Sequence, residues 1–362
     1  MADTNIEWLR GDDGRQGKTW NPTDGCDEVS PGCSRCYAKL LAARFCGEGQ
    51  PYAGLVQIVK GKAGRVVNWT GVVRFSPKKL ALPLKWRKPQ RVFVNSMSDL
   101  FHDGCTDQQI AAVFGVMAAC SQHMFVVLTK RPRRMREWFE WLETQRTPLI
   151  TIPWSPRLTC RAEAGKLLDV RGYHPMLGTE PSPHMWPLPN VILGVSVENR
   201  AVLERIDDLR ACPAAARVIS AEPLLEDLGE VDLSGVGWLI AGCESGPGAR
   251  PCEVKWLRSL RDQCKAAEVA YFLKQAKETQ LGVCGDADNP NGDKPCGKRV
   301  TAYVISDDTA AYSCGCTSEG SELGAGVALG AGEGSKRKPG GIIGLPYLDG
   351  VQHLAFPEAA RG

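Results

Sequence analysis

The sequence predicts an α/β protein, a partial or complete (β/α) TIM-like barrel of parallel strands with a Cys-containing C-terminal extension. Three observations carry this expectation. Strand-like and helix-like runs alternate through residues 15–275. Several strand candidates are near-continuous β-branched and aromatic runs, as in strands buried on both faces of a parallel sheet. Polar residues recur just after successive strands, at the end where such barrels build their sites.

After a first extended segment, KTWNP, strands are expected at 72–76 (VVRFS), 91–96 (RVFVNS), 124–129 (MFVVLT) and 191–197 (VILGVSV). Further strands are expected at 216–220 (ARVIS), 236–241 (VGWLIA) and 269–273 (VAYFL). Helical patterns separate them. Residues 107–120 follow Thr106, whose hydroxyl suits an N-cap. Residues 133–145 and 200–211 are amphipathic, and 254–266 places Val254, Leu257 and Cys264 at helical spacing.

Three regions break the repeat. Residues 47–70 form a polar insertion. Residues 146–190 are proline-rich, carry His174 and His184, and read as a long, lid-like excursion. From residue 276 the character changes: 284–316 holds four cysteines, and 317–341 is a Gly/Ala/Ser-rich stretch containing Lys336, Arg337 and Lys338, whose composition predicts flexibility. The expected organisation is therefore a barrel at 1–275, with insertions at 47–70 and 146–190, followed by an extension at 276–362.

Composition excludes little. Hydrophobic content of 43%, charge of 23% and a net charge of +3 suit a globular protein and single out no partner. No apolar run approaches the roughly 18–20 residues that span a bilayer. The opening MADTNIEWLRGDD lacks the basic start and apolar core of a signal peptide. A cytoplasmic protein is expected, with no membrane partner. In a reducing compartment the fifteen cysteines are not a disulfide framework, which favours metal ligation or redox chemistry. Cys120, Cys212 and Cys264 lie in apolar or helical surroundings and read as core fillers.

The strongest local signal is WNPTDGCDEVSPGCSRCYAK, residues 20–39. Cys26, Cys33 and Cys36 are spaced C-x6-C-x2-C in a Gly-, Pro- and Asp-rich loop after the first extended segment. Iron–sulfur clusters normally take four cysteines, so three leave an iron with open coordination. Structural zinc wants a closed shell of four ligands. Cys46 or a distant residue could complete one, and the spacing alone leaves cluster, zinc and no metal all open.

The segment resembles the radical SAM superfamily, in particular its spore photoproduct lyase-like branch, through Asn21, Pro22, Gly25, Cys26, Cys33, Cys36, Tyr37 and Ala38. The whole chain resembles a phage-associated family named for its three-Cys motif. The residues that carry this are VNSMSDLFH (94–102), LTKRP (128–132), GVSVEN (194–199), SAEPLL (220–225), AGCESGPGARP (241–251), FLKQ (272–275) and LDG (348–350). The first cysteine gap holds six residues where the superfamily usually has three, and Arg35 stands where an aromatic often precedes the last cysteine.

The resemblance implies a 4Fe-4S cluster on Cys26, Cys33 and Cys36 whose open iron chelates S-adenosylmethionine. One electron from a reductant such as flavodoxin or ferredoxin then cleaves the sulfonium to methionine and a 5′-deoxyadenosyl radical. That radical abstracts hydrogen from a poorly activated C–H bond. It further implies an isomerase or lyase, and a nucleic-acid substrate, with modified thymine in phage DNA preferred. The step would be the isomerisation in a thymidine hypermodification that protects viral DNA from host nucleases, in the host cytoplasm.

Around this centre, Ser96, Asp99, Ser196, Gly242, Glu244 and Lys274 are the cofactor-binding candidates. Thr129, Lys130, Glu198, Glu222, Ser245 and Gln275 occupy similar strand ends, where caps and surface ion pairs are the alternative reading. Lys130, Arg131, Arg133 and Arg134 could dock a phosphate or simply be a solvated helix start. Trp20, Trp86, Trp138 and Trp141 could stack on bases or pack in the core. Cys284, Cys296, Cys314 and Cys316 are candidates for an auxiliary metal. The competing class is a zinc-stabilised nucleic-acid-binding or adaptor protein without catalysis.

Overall fold

Seven parallel strands form one sheet in strict sequence order: β1 (Lys18–Trp20), β2 (Arg91–Val94), β3 (Met124–Thr129), β4 (Val191–Ser196), β5 (Ala216–Ala221), β6 (Trp238–Gly242) and β7 (Ala270–Gln275). Unreversed order makes the sheet curl one way, and it forms a half-barrel. The computed structural model describes residues 4–11, 14–61, 64–145, 155–168, 185–245 and 248–275, together with strands between residues 279 and 352. No helix among them is long and apolar enough to cross a membrane.

The helices Asp107–Ala119, Pro132–Thr144, Arg205–Ala211 and Val254–Ala266 share the core of the convex face, and Pro156–Leu168 packs on the first of them. Thr106 caps the first of these in a reciprocal capping box with Gln109. Cys120, Cys212 and Cys264 are buried there as expected. So are Trp20 and Trp138, the latter stacked on Phe114 at 4.6 Å, and Trp86 and Trp141 pack against the same core. The tryptophans hold the core together rather than offering faces to bases.

The concave face is filled from below. The 3-10 turn Glu7–Leu9 inserts Trp8 and Leu9 among Val126, Ile192, Val218, Trp238, Ile240 and Phe272. Trp8 meets Phe93 edge-on at 5.2 Å and Trp238 at 6.0 Å, joining strands that lie four apart in the sheet. A Cβ on Gly194 would overlap Val218 and crowd Leu128 at 2.6 Å, so the middle of this face is packed solid.

The structure corrects two expectations, the strand at 72–76 and the lid at 156–168, and adds detail to two others. The strand predicted at 72–76 shrinks to Arg74–Phe75 and pairs antiparallel with Thr23–Asp24, outside the main sheet. The polar insertion at 47–70 contains an antiparallel hairpin, Val56–Gly61 with Gly64–Trp69. Within 146–190, residues Pro156–Leu168 are no lid: Cys160 and Ala164 pack so tightly on Gly115 that a Cβ there would overlap the Cys160 carbonyl. The extension holds an antiparallel sheet of Thr279–Val283, Arg299–Ser306 and Thr309–Tyr312. His174, His184, Cys284, Cys296, Cys314, Cys316 and Lys336–Lys338 lie outside the described residues.

Trp8→Ala is expected to cost about 3–5 kcal/mol, the usual loss for a buried aromatic, read as a lower urea midpoint with an unchanged m-value. A loss below about 1 kcal/mol would mean that the floor does not depend on it.

Candidate metal and cofactor site

Above its apolar floor the concave face turns polar. Counting by twos along the strands from Leu128, Gly194, Val218, Ile240 and Phe272 reaches Lys130, Ser196, Ser220, Gly242 and Lys274. Ser196 and Ser220 are buried, and Lys274 pairs with Glu222. Gly242 sits at a register shift between β6 and β7, where a Cβ would stand 3.2 Å from Gln275 and 3.5 Å from Glu222. Gln275 and Glu222 thus leave little space for a side chain at that position. Among the described residues Lys130 has no carboxylate partner.

The cysteine loop is tied to the carboxyl ends of four strands. After β1, Asn21 Oδ1 accepts from Met97 N at 2.8 Å and Ser96 Oγ at 3.2 Å. Buried Thr23 bonds Ser98 at 2.9 Å and Asn95, which holds a left-handed φ of 61°. Gly25, at φ 95°, precedes Cys26 where any Cβ would overlap the Val72 carbonyl. These contacts fix the loop to the end of β2.

At the end of β3, Arg131 bonds Asp27, approaches Cys26 Sγ at 3.9 Å and reaches Asp99 at 3.2 Å. Asp99 also accepts from Thr129 Oγ1 at 2.7 Å, Phe101 N at 3.0 Å and Lys130 N at 3.0 Å. Its carboxylate is thus saturated by the chain, and it positions Arg131. His102 Nδ1 accepts from Gly104 N at 2.9 Å, leaving the proton on Nε2, 3.0 Å from Asp27. Burial pushes its pKa down against the pull of Asp99 and Asp103. Arg133 pairs with Glu137 and Arg134 with Asp107. Three of the four expected phosphate-docking cations are therefore engaged within the chain.

At the end of β4, Glu198 is fully buried, accepting from Gly32 N at 3.3 Å and from Arg205 at 3.1 Å. Beyond β6, Arg250 spans Glu244, at 2.5 Å, and the Pro31 carbonyl, at 2.9 Å, while Arg35 bonds Gly248 O. Burial raises the Glu244 pKa, but Arg250, through side chain and backbone, and Arg35 more than offset it and hold the carboxyl below its usual range. The reading of the cysteines as reduced thiols is corrected at one pair: Cys243 and Cys252 are joined as a disulfide across this loop.

Cys26, Cys33 and Cys36 are free and partly exposed. Cys26 and Cys36 pack against one small cluster with Leu55, Val56, Trp69 and Met97, and Cys46 joins them there. Cys33 Sγ lies 3.8 Å from Ser30 Oγ instead. Among the described residues no three His, Cys, Asp or Glu side chains are grouped to hold a metal ion as they stand. The donor chemistry nonetheless suits an iron–sulfur cluster: three unpaired thiols on one anchored loop. Burial, then Asp99, pushes the Cys26 thiol up to about 12 against the pull of Arg131.

Of the cofactor candidates, Ser196, Gly242 and Lys274 line the mouth, and Ser96 stands at its rim, its carbonyl accepting from Tyr37 Oη at 2.8 Å. Asp99 and Glu244 serve the loop. Sequence reasoning missed Asp27, Arg35 and Arg250 as anchors, because their partners lie up to 219 residues away and no local pattern marks them.

Glu198→Gln is expected to lose about 3–5 kcal/mol on urea denaturation, since it strands the Arg205 charge in the interior. Replacing both, Glu198→Leu with Arg205→Met, should recover most of that loss. Equal destabilisation in the two variants would contradict the pairing.

The chain matches the family described as "Protein of unknown function (DUF5131)" over residues 3–304, the half-barrel and its cysteine loop included. No curated protein and no solved structure matches it. The chain belongs to the DUF5131 family.

Proposed function

We propose that this protein is a radical SAM enzyme. The observation that carries the reading is a loop of three unpaired thiols, tied at four strand ends over the polar mouth of a parallel half-barrel. Cys26, Cys33 and Cys36 would hold the 4Fe-4S cluster and leave one iron position open. Cluster and S-adenosylmethionine, when bound, supply a 5′-deoxyadenosyl radical able to take hydrogen from an unactivated carbon.

The chain's own residues have four tasks in this reading. The packed floor beneath the mouth, from Trp8 to Gly194, keeps water from entering below a reactive intermediate. Lys130 offers an ammonium group to a carboxylate or phosphate, and Ser196 and Ser220 offer hydroxyls beside it. Gly242 presents bare backbone at the end of β6, beside Gln275 and Glu222. Asp99 and Glu244 hold Arg131 and Arg250, which position the loop.

The preferred substrate is an amino-acid-modified thymine in phage DNA, isomerised in place, with flavodoxin or ferredoxin as reductant. The resemblance of the motifs at 20–39 and 94–102 supports this choice. Anaerobically reconstituted protein, given S-adenosylmethionine, dithionite and phage-type modified DNA, should release 5′-deoxyadenosine. The DNA digest should contain a nucleoside of unchanged mass but altered NMR spectrum, absent with Cys26→Ala. Cluster-loaded protein that never cleaves S-adenosylmethionine overturns the enzyme reading. Cleavage driven by tRNA, peptides or free nucleotides and not by DNA overturns the substrate alone.

A further inference from the structure

The hairpin Val56–Gly61 and Gly64–Trp69 is packed near its root, where Val56, Val67 and Trp69 join the cluster that holds Cys26 and Cys36. Beyond that root Gln57, Ile58, Val59, Lys60, Arg65 and Val66 are all exposed. A two-stranded ribbon standing free in water is marginal by itself. This one also works against itself electrostatically: Lys60 lies directly opposite Arg65. Like charges facing each other across a ladder destabilise it. Residues 56–69 contain Lys60, Lys62 and Arg65 and no carboxylate to relieve them.

We infer that this ribbon is a docking element for duplex nucleic acid. Phosphates supply the charge that the opposed cations lack. A two-stranded ribbon fits the major groove of B-form DNA, and the exposed Ile58, Val59 and Val66 can meet apolar groups there. Counting by twos puts Lys60 and Arg65 on the ribbon face that carries Val56 and Trp69, the face packed beside the cysteine loop. Lys60 is four residues from Val56, so the tip stands roughly 13 Å along the strand from the root packed beside the cysteine loop. The inference rests on the charge and exposure of the hairpin and not on radical chemistry. Binding is therefore read without cofactor, and its failure is distinct from failure of the enzyme reading.

The test is fluorescence anisotropy of the full chain with a short labelled DNA duplex across a salt series, beside pelleting with phosphatidylcholine–phosphatidylserine vesicles. Lys60→Glu should weaken duplex binding about ten-fold and lower the salt slope by about one. Its melting temperature should hold or rise, because Glu opposite Arg65 is a favourable cross-strand pair. Arg65→Glu is the mirror variant and should behave alike. A purely structural hairpin cannot lose affinity while keeping or gaining stability. Unchanged affinity and slope overturn the inference. So do losses that track lower melting temperatures in both variants, or vesicle binding without duplex binding.

Discussion

A parallel sheet that curls without closing has an apolar concave face that must be filled, and here Trp8 fills it. The indole bridges Phe93 on β2 and Trp238 on β6 and so joins two sides of an open half-barrel that no strand pairing joins directly. Everything above depends on that floor. With the lower concave face packed solid, the polar residues that follow on each strand line the upper part of that face. The site is thus a consequence of how the interior is filled as much as of which polar residues are present.

The second constraint is electrostatic. The loop bearing Cys26, Cys33 and Cys36 has little hydrophobic content of its own, and it is held by charges. Arg131 ties it to β3, Glu198 to β4 and Arg250 to β6. Each anchor has its own counter-charge, Asp99, Arg205 and Glu244 respectively, so no charge is left stranded where burial would make it costly. Loop position is therefore coupled to strand ends far apart in sequence. The thiols themselves are looser: Cys26 and Cys36 already share an apolar cluster, while Cys33 stands by Ser30.

The half-barrel was legible because strand burial on both faces leaves a continuous apolar run, and MFVVLT and VILGVS are unmistakable. The Thr106 cap and the core cysteines were legible for the same reason, since each depends on its immediate neighbours. The three-cysteine loop was visible as spacing. The hairpin at 56–69 was not, because its exposed ribbon follows no inside–outside alternation for most of its length. Nor were the Arg250 and Arg35 anchors or the Cys243–Cys252 pair, whose meaning lies in which loops meet over the mouth. Asp99 read as a cofactor ligand from its position after a strand, and only the geometry reveals that four donors occupy it.

The central claim is that three thiols on this loop hold one iron–sulfur cluster. Iron, sulfide and zinc analysis of anaerobically purified protein, with its visible spectrum, tests it most directly when run beside Cys26→Ala, Cys33→Ala and Cys36→Ala. The account predicts brown protein with about four irons per chain, and the loss of iron and colour in each variant. Colourless protein with stoichiometric zinc, or a cluster that survives Cys33→Ala, would contradict it.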